Sequence, residues 1–320
     1  SGTSASLTVS AAALVGQRIA ENPAWATLPL SLNLLGTMSI GIPASLLMQR
    51  IGRRNGFRLG TVVGLFGALL NIYAIQSESF FLFCVGSYLI GCLLGFGQLY
   101  RFAAIETTPE EHKARAVSLV LFGGMLSGIL GPGIAFVTKD WVEGAPFMGS
   151  YQSLIGLYVV VFLLLQLVDL PKPTANEQQP RTRPFWEITR QTTWKISLLS
   201  AALGYAAMAL IMTATPLSMQ AHHHSFSASA FVIQWHVIAM FMPSFFTGNL
   251  IQRFGGKNIM LVGIGSNLLC ILINTQGQFF LSYWSALILL GVGWNFMFIA
   301  GTTLLTETYL PEEKALVQGC

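Results

Sequence analysis

The chain has 320 residues, of which 53% are hydrophobic and only 9% are charged, and its formal net charge is +4. Soluble domains carry roughly 25% charged residues, so this chain has too few to cover a water-facing surface. The composition therefore excludes a soluble enzyme, a nucleic-acid-binding protein and a disordered scaffold. We interpret the chain as an integral membrane protein whose first partner is the lipid bilayer.

Nine stretches are long and apolar enough to cross a bilayer, because the hydrocarbon core needs about 20 apolar residues per helix. Residues 1–15 are apolar but short, and they predict the outer part of a tenth helix whose beginning is missing. Polar residues at 274–278 divide the last charge-free stretch into two helices. The nine complete spans are predicted at 28–48, 59–77, 79–100, 116–138, 150–168, 196–221, 228–251, 258–274 and 279–303.

The Lys and Arg residues predict the orientation of these helices. Fifteen of the 17 lie in alternate loops, and only Arg18 and Lys139 lie on the opposite side. Short loops rich in Lys and Arg stay in the cytoplasm. The Pro-rich linker at 169–195 is therefore predicted to be cytoplasmic, and it joins an N-terminal bundle at 1–168 to an incomplete C-terminal bundle at 196–320.

Two cytoplasmic landmarks recur about 200 residues apart in the chain. The segment Gln-Arg-Ile-Gly-Arg at 49–53 returns as Gln-Arg-Phe-Gly-Gly-Lys at 252–257, 203 residues later, and Glu106 returns as Glu307, 201 residues later. A parallel repeat of this length predicts two similar bundles that rock about a shared midplane site. By the same offset, we expect two further helices after Cys320, so that the ten predicted helices belong to a parent with six plus six.

The two repeated loops resemble the signature G-x-L-A-D-R-x-G-R-K of the major facilitator superfamily, with Gln49 and Gln252 in the place of its Asp. The Gly-Pro-Gly at 131–133 is similar to a glycine-proline signature of antiporters in that superfamily. Segments 98–104 and 234–236 also look like bacterial members that carry drugs or riboflavin-type vitamins. The resemblance implies an all-α membrane fold of two six-helix bundles, and a secondary transporter in the inner membrane of a bacterium.

The signature loops and the helix ends near them are predicted to gate transport. Their recurrence in both halves suggests contacts that hold one conformation shut, and Pro132 would kink the fifth helix by removing a backbone hydrogen bond. The alternatives are orientation anchors for the basic residues, solvated charges for the glutamates and a plain packing kink for the proline. The predicted gating residues are Gln49, Arg50, Gly52, Arg53, Glu106, Gly131, Pro132, Gln252, Arg253, Gly255 and Glu307.

Polar and aromatic residues inside the spans are candidates for solute binding, since a polar group in a membrane is costly in free energy and usually functional. Aromatic rings can stack on an aromatic solute, but they also fill protein cores, and Arg101 can reach the cytoplasm along its helix. The predicted solute-binding residues are Asn33, Gln98, Arg101, Gln234, Trp235, Trp294 and Asn295.

His236 is the predicted proton-coupling group. It lies 203 residues after Asn33, at the matching place in the other half, and Asn33 cannot titrate. The protonation of a buried imidazole would respond to solute binding. The alternative is a neutral His that bonds to another helix. We predict no cofactor and no metal site, because the consecutive His222, His223 and His224 cannot easily converge on one ion.

The sequence leaves three functions open. The first is a secondary transporter that moves a small organic solute by alternating access, coupled to protons, with export favoured by the glycine-proline signature. The second is an uptake carrier for a vitamin of the riboflavin type, and the third is a receptor or scaffold that kept the fold. The sequence contains no nucleotide-binding P-loop and no His-Glu-x-x-His motif, so neither a primary pump nor an enzyme is predicted.

The predicted orientation is testable by labelling a variant that has lost its native cysteines. We expect Gln179→Cys to stay unreactive toward an impermeant maleimide added outside intact cells, because the 169–195 linker is predicted to be cytoplasmic. The same residue should react after permeabilisation, whereas Lys139→Cys, on the predicted outer side, should react in intact cells. Labelling at position 179 without permeabilisation would contradict the orientation.

Overall fold

The structure of the protein is a computed structural model that describes residues 2–168, 170, 183–277 and 279–319. Every regular element in these ranges is helical, which agrees with the predicted all-α class. Short 3-10 helices lie at Pro23–Trp25, Glu110–His112 and Pro311–Glu313. The α-helices are α1 Gly2–Ile19, α2 Leu28–Ser39, α3 Gly41–Ile51, α4 Arg53–Gln76, α5 Phe80–Gln98, α6 Tyr100–Glu106, α7 Lys113–Thr138, α8 Met148–Leu167, α9 Phe185–Arg190, α10 Thr192–Ala221, α11 Phe226–Phe241, α12 Ser244–Phe254, α13 Gly256–Gln276, α14 Phe280–Leu305 and α15 Lys314–Gly319.

In the described residues, six helical segments are long and apolar enough to cross a membrane. They are α4, α8, α10, α13, α14 and the continuous segment Phe80–Glu106, which is formed by α5 and α6. The number rises to eight if the bent pairs α2–α3 and α11–α12 each count as one span. The chain is therefore a multi-pass membrane protein. The count of ten spans and the two helices expected after Cys320 stay predictions.

The spans expected at 28–48 and 228–251 are each two helices rather than one, which corrects the sequence-based assignment. The axis bends by 44° between α2 and α3 and by 43° between α11 and α12. A proline follows the first break, at Pro43, and Pro243 lies within the second. Proline has no N–H to donate, and its ring clashes with the carbonyl four residues earlier, so a straight helix cannot continue through either site.

The chain forms two compact units that do not coincide with its two halves. The N unit consists of Ser1–Ala103, Leu126–Pro180 and Pro311–Cys320, and the C unit consists of Ala104–Met125 and Arg181–Leu310. Each unit thus contains one short segment from the other half of the sequence. The division into bundles at 1–168 and 196–320 stays a prediction, and much of the linker, 171–182, lies outside the described residues.

Helix α5 packs between α2 and α4 in the N unit, and α14 packs against α10, α11 and α13 in the C unit. Glycine makes these contacts close. A Cβ on Gly91 of α5 would collide with the backbone carbonyl of Asn33 on α2, and a Cβ on Gly291 of α14 would lie 2.7 Å from the carbonyl of His236 on α11. Both units therefore hold a bent helix against a central helix at a glycine, as small residues allow in membranes.

The bent helices end in the same way in both units. Gly52 follows α3 with φ of 86°, and Gly255 follows α12 with φ of 83°. A positive φ is readily adopted only by glycine, and it lets the next helix start immediately after the turn. These are the two glycines of the repeated loops, which explains why the loops require glycine there.

Candidate transport site and gate

Asn33 and His236 make equivalent hydrogen bonds in the two units. The Asn33 Nδ2 group donates to the Ser87 carbonyl of α5 at 3.1 Å, and His236 Nδ1 lies 2.8 Å from the Leu287 carbonyl of α14. The two acceptors are 200 residues apart, as the repeat requires. Both side chains are buried, with exposed fractions of 2% and 0%. Each therefore ties the first segment of a bent helix to the central helix of its unit.

The tie also assigns the proton on the His236 ring. A carbonyl oxygen can only accept, so Nδ1 carries the hydrogen and Nε2 is the nitrogen that can take up a proton. Nε2 is buried and has no hydrogen-bond partner among the described residues. Neither α11 nor α14 contains an Asp, Glu, Lys or Arg. The imidazole therefore has one available proton site, and the tie survives whether that site is filled or not.

An aromatic cluster surrounds Trp294 in the C unit. Its indole stacks on Phe298 of the same helix at 5.0 Å, and Tyr205 of α10 meets the two rings edge-on at 5.4 and 5.6 Å. Phe241 of α11 closes another edge at 6.0 Å. Trp294 is 2% exposed and Tyr205 is 43% exposed, so the cluster is buried at its centre and open at Tyr205. We call these four side chains the Trp294 cluster.

The centre of the Trp294 cluster has an unsatisfied donor. Trp294 Nε1 is buried and has no hydrogen-bond partner in the described part of the chain. Buried indole N–H groups usually find an acceptor, and an unpaired buried donor costs about 1–3 kcal/mol. Flat rings on three helices with an unpaired donor between them can bind an aromatic molecule that carries an acceptor.

The seven predicted solute-binding residues do not form one cluster. Asn33, Gln98 and Arg101 belong to the N unit, and the other four belong to the C unit, where Trp294 alone is part of the Trp294 cluster. Their placement differs in burial and contacts. Gln98 and Gln234 are exposed, whereas Asn295 is fully buried. Trp235 is 37% exposed, and its ring packs edge-on against the ring of Trp284. The Arg101 guanidinium lies 4.9 Å from the centre of the Phe102 ring.

Tyr205, Phe241 and Phe298 were not predicted as site residues. Phe298 follows Trp294 by four positions, which places both on one face of a helix, so this pair was accessible from the sequence. Tyr205 and Phe241 lie on other helices, and no spacing along the chain links them to Trp294. Packing of three helices was needed to bring them together.

In the N unit, the start of the repeated loop contacts the segment that follows Leu310. Gln49 Nε2 donates to the Glu312 carbonyl at 3.5 Å, and α15 packs along α3 so closely that the Gly319 carbonyl would lie 2.7 Å from a Cβ on Gly41. Arg53, which is 6% exposed, donates to the Gln318 side chain. This contact joins the second helix of one half to the last described helix of the other.

The C unit contains the same contact with the halves exchanged. Gln252 Nε2 donates to the Glu111 carbonyl, and a Cβ on Gly248 of α12 would lie 2.6 Å from the Arg115 backbone. Phe122 and Phe245 pack beside it with ring centres 4.0 Å apart. A carboxylate can only accept hydrogen bonds, so the Asp of the family signature could not replace Gln as the donor to a carbonyl. We call the two contacts the glutamine latches.

Four of the remaining predicted gating residues lie beside the latches or at helix ends, and the other two, Gly131 and Pro132, lie within α7. Arg50, Arg253 and Glu307 are exposed, and Glu106 is half-buried at the end of α6. Gly131 is buried in α7, and this helix continues through Pro132, whose side chain lies outside the described residues. No group of three His, Cys, Asp or Glu residues in the described ranges could hold a metal ion.

Comparison with known proteins gives a consistent result. The family model of the Major Facilitator Superfamily matches residues 1–320. The riboflavin transporter RfnT of Brucella anthropi is 38% identical over 315 residues, 98% of this chain and 79% of that protein. The E. coli fucose:proton symporter FucP (TM-score 0.76, 17% identity) and the human organic anion transporter MFSD10 (0.78, 12%) each match 99% of this chain, and 84% and 85% of their own chains. At these identities the two structures show the fold alone.

The glutamine latch of the C unit predicts the effect of an acid at position 252. In a background without native cysteines, Ala114→Cys reports on the latch, because Ala114 is 4% exposed and its peptide packs on Gly248. Gln252→Glu removes a donor and places a carboxylate against a carbonyl, so the modification rate of Cys at position 114 should rise about fivefold.

Asn258→Asp is the matched control for this variant. It makes the same amide-to-acid change nearby, but in the described residues the Asn258 amide bonds only to the Phe254 carbonyl four residues earlier. We expect its reporter rate to equal that of the parent. Equal rates in Gln252→Glu and Asn258→Asp would show that the Gln252 bond does not hold the contact.

Proposed function

This chain belongs to the major facilitator superfamily of transporters, and we propose that it moves a small, flat aromatic solute of the flavin type across a bacterial inner membrane. The observation that carries the proposal is the Trp294 cluster, with its buried and unpaired indole N–H. The 38% identity to a riboflavin transporter supports the same class of solute. Of the three functions left open by the sequence, a vitamin carrier fits these observations best.

The chemistry of a flavin ring matches the Trp294 cluster. The ring is flat and wide, so it can stack against an aromatic side chain, and its edge carries carbonyl and ring-nitrogen acceptors. Tyr205 presents the open side of the cluster, and Trp294 supplies the donor. Stacking contributes about 0.5–1.5 kcal/mol beyond the buried area, and the new hydrogen bond removes the penalty of the unpaired N–H.

Export of an aromatic compound is the second candidate function, and the Gly-Pro sequence at 131–132 in α7 favours it. The roles of Gln98, Arg101, Gln234 and Trp235 in solute binding stay predictions in either case. Both candidates require the same solute chemistry, and they differ only in the direction of net transport.

We propose that the glutamine latches gate access on the cytoplasmic side. Each latch joins segments from both halves of the sequence, so it must break when the halves move apart. Gly52 and Gly255 supply the tight turns behind the latches, and Arg53 adds a buried donor to the first one. The exposed Arg50, Arg253 and Glu307 are proposed to contribute charge near the membrane surface.

We propose that transport is coupled to protons and that the coupled proton binds at His236 Nε2. The support is geometric, because Nδ1 is committed to the Leu287 carbonyl and Nε2 is buried without a partner in the described residues. Asn33 makes the equivalent tie without a titratable atom. The same hydrogen bond between helices therefore occurs in both halves, but only the half that contains His236 has a side chain that can take up a proton there.

The proposed solute is testable with riboflavin as the probe. Proteoliposomes of the purified protein should exchange labelled riboflavin, and flavin fluorescence should be quenched on binding. Trp294→Phe keeps a stacking ring but loses the N–H, so the Kd should rise about fivefold, whereas Trp294→Ala should raise it tenfold or more. Trp141→Phe, at a 61% exposed position outside the cluster, should leave the Kd unchanged.

Riboflavin binding that is the same in wild type and both Trp294 variants would overturn the proposed site. Vesicles of known orientation give the direction of net transport. Accumulation inside right-side-out vesicles indicates uptake, and depletion indicates export.

His236→Asn separates the structural tie from proton coupling. Asn fills the equivalent position in the other half, so this variant should keep the bond to Leu287 and retain solute binding and exchange. It should lose accumulation driven by an imposed pH gradient, because an amide cannot take up a proton. His223→Asn, in an exposed loop, is the control and should behave as wild type. Undiminished gradient-driven transport in His236→Asn would limit His236 to packing.

A further inference from the structure

The break between α11 and α12 is spanned by one side chain from a third helix. Asn295 of α14 donates from Nδ2 to the Met240 carbonyl and to Ser244 Oγ, both at 2.7 Å. Thr247 Oγ1 lies 2.7 Å from Asn295 Oδ1 and 2.8 Å from the Pro243 carbonyl, and it shares its proton between them. Met240 precedes the break, whereas Ser244 and Thr247 follow it. The Asn295 amide therefore bonds to both sides of the bend.

The amide has no donor left for a solute. Its two N–H groups are both used within the protein, and the residue is 0% exposed. Near a helix break, backbone carbonyls lose their N–H donors from the helix, so a side chain is expected to donate to them. Asn295 does this for the Met240 carbonyl. These contacts favour a structural role for Asn295 over the solute-binding role that its position in the sequence suggests.

The bend lies between α11, which is bonded to α14, and α12, which carries half of the latch. His236 ties α11 to α14 before the break, and Gly291 allows the two backbones to meet there. After the break, α12 carries Gln252 and Gly248, which form the glutamine latch of the C unit. The angle of the bend therefore decides where α12 presents its half of the latch.

We propose that Asn295 is a positioning residue that holds this bend and thereby controls how fast the glutamine latch of the C unit opens. The inference rests on the transport function proposed above, and it assigns Asn295 to the conformational step rather than to solute affinity. Loss of the Asn295 bonds lets α12 pivot at Met242 and Pro243, so the latch opens more often.

The equivalent break in the N unit is held differently. It lies at Ile40, 203 residues before Pro243. There, Thr37 Oγ1 donates to the Gly91 carbonyl at 3.1 Å and Ser39 Oγ lies 3.0 Å from the Tyr88 hydroxyl, and both bonds attach residues that precede the break. Among the described residues, a brace across the bend is therefore found in the C unit, and disrupting it should affect the C-unit latch selectively.

Three variants remove the brace in different ways. Asn295→Ala deletes all the bonds of the brace, and Ser244→Ala deletes the bond to Ser244. Thr247→Val keeps the shape of the side chain but deletes its bond to Asn295, together with the contact to the Pro243 carbonyl. Thr303→Val on α14 is the matched control, because the Thr303 hydroxyl has only one partner in the part of the chain that the structure describes, the Ile299 carbonyl four residues earlier. Circular dichroism and size-exclusion chromatography establish that each variant is folded.

Two measurements read the conformational step and solute affinity separately. The modification rate of Ala114→Cys, in a background without native cysteines, reports on the latch, and quenching of riboflavin fluorescence reports on binding. We expect Ser244→Ala and Thr247→Val each to raise the modification rate about fivefold, the effect of losing one hydrogen bond. Asn295→Ala should raise the rate further, because it loses every bond of the brace, and all three variants should keep the Kd within about twofold of wild type. The Asn295→Ala, Thr247→Val double variant should match Asn295→Ala, since Asn295→Ala already removes the bond through which Thr247 joins the brace. Thr303→Val should change neither quantity.

Two outcomes would overturn the inference. A tenfold rise in Kd confined to Asn295→Ala, with Ser244→Ala and Thr247→Val unchanged in both measurements, would make Asn295 a solute ligand. An unchanged modification rate in all three variants would show that the bend does not depend on the brace. If wild type binds no riboflavin, the proposed function fails, but the modification rates still decide whether Asn295 controls the latch.

Discussion

Inside a bilayer, every backbone N–H and C=O must find its partner within the protein, because no water is present to supply one. A straight helix meets this requirement by itself, but a bent helix does not. The described residues contain two spans that are bent, at Ile40 and at Met242–Pro243, and polar side chains lie beside both bends. The need to satisfy the backbone at a bend explains why polar groups that are otherwise costly in lipid occur at these depths.

The two halves meet this requirement with the same architecture but different side chains. Asn33 and His236 each reach a carbonyl of the neighbouring central helix, and a glycine lets the backbones approach beside each tie. An amide cannot titrate and an imidazole can, so the repeat permits a proton-dependent step in one half alone. The glutamine latches are alike in chemistry, because Gln49 and Gln252 both donate to a backbone carbonyl.

Different residues of α14 are therefore proposed to have different roles. Leu287 and Gly291 hold α11, Trp294 and Phe298 form the aromatic surface proposed to bind the solute, and Asn295 braces the bend. Two adjacent residues are thus assigned to solute affinity and to the movement of α12, because the side chains of Trp294 and Asn295 point in different directions around the helix. A solute that alters the packing of the Trp294 cluster acts within one residue of the brace, which offers a direct physical link between binding and the movement of α12.

The sequence by itself determined that this is a multi-pass, all-helical membrane protein with a repeated loop, because apolar length and charge distribution depend only on the residues of each segment. It also indicated the family, which the comparisons confirm, and it singled out His236, Trp294 and both latch glutamines as candidates whose roles stay predictions. The bends, the partner of each latch, the brace at Asn295 and the meeting of Tyr205 with Trp294 were decided by the tertiary structure. Each of these depends on how helices far apart in the chain pack side by side, and no spacing along a single helix records that arrangement.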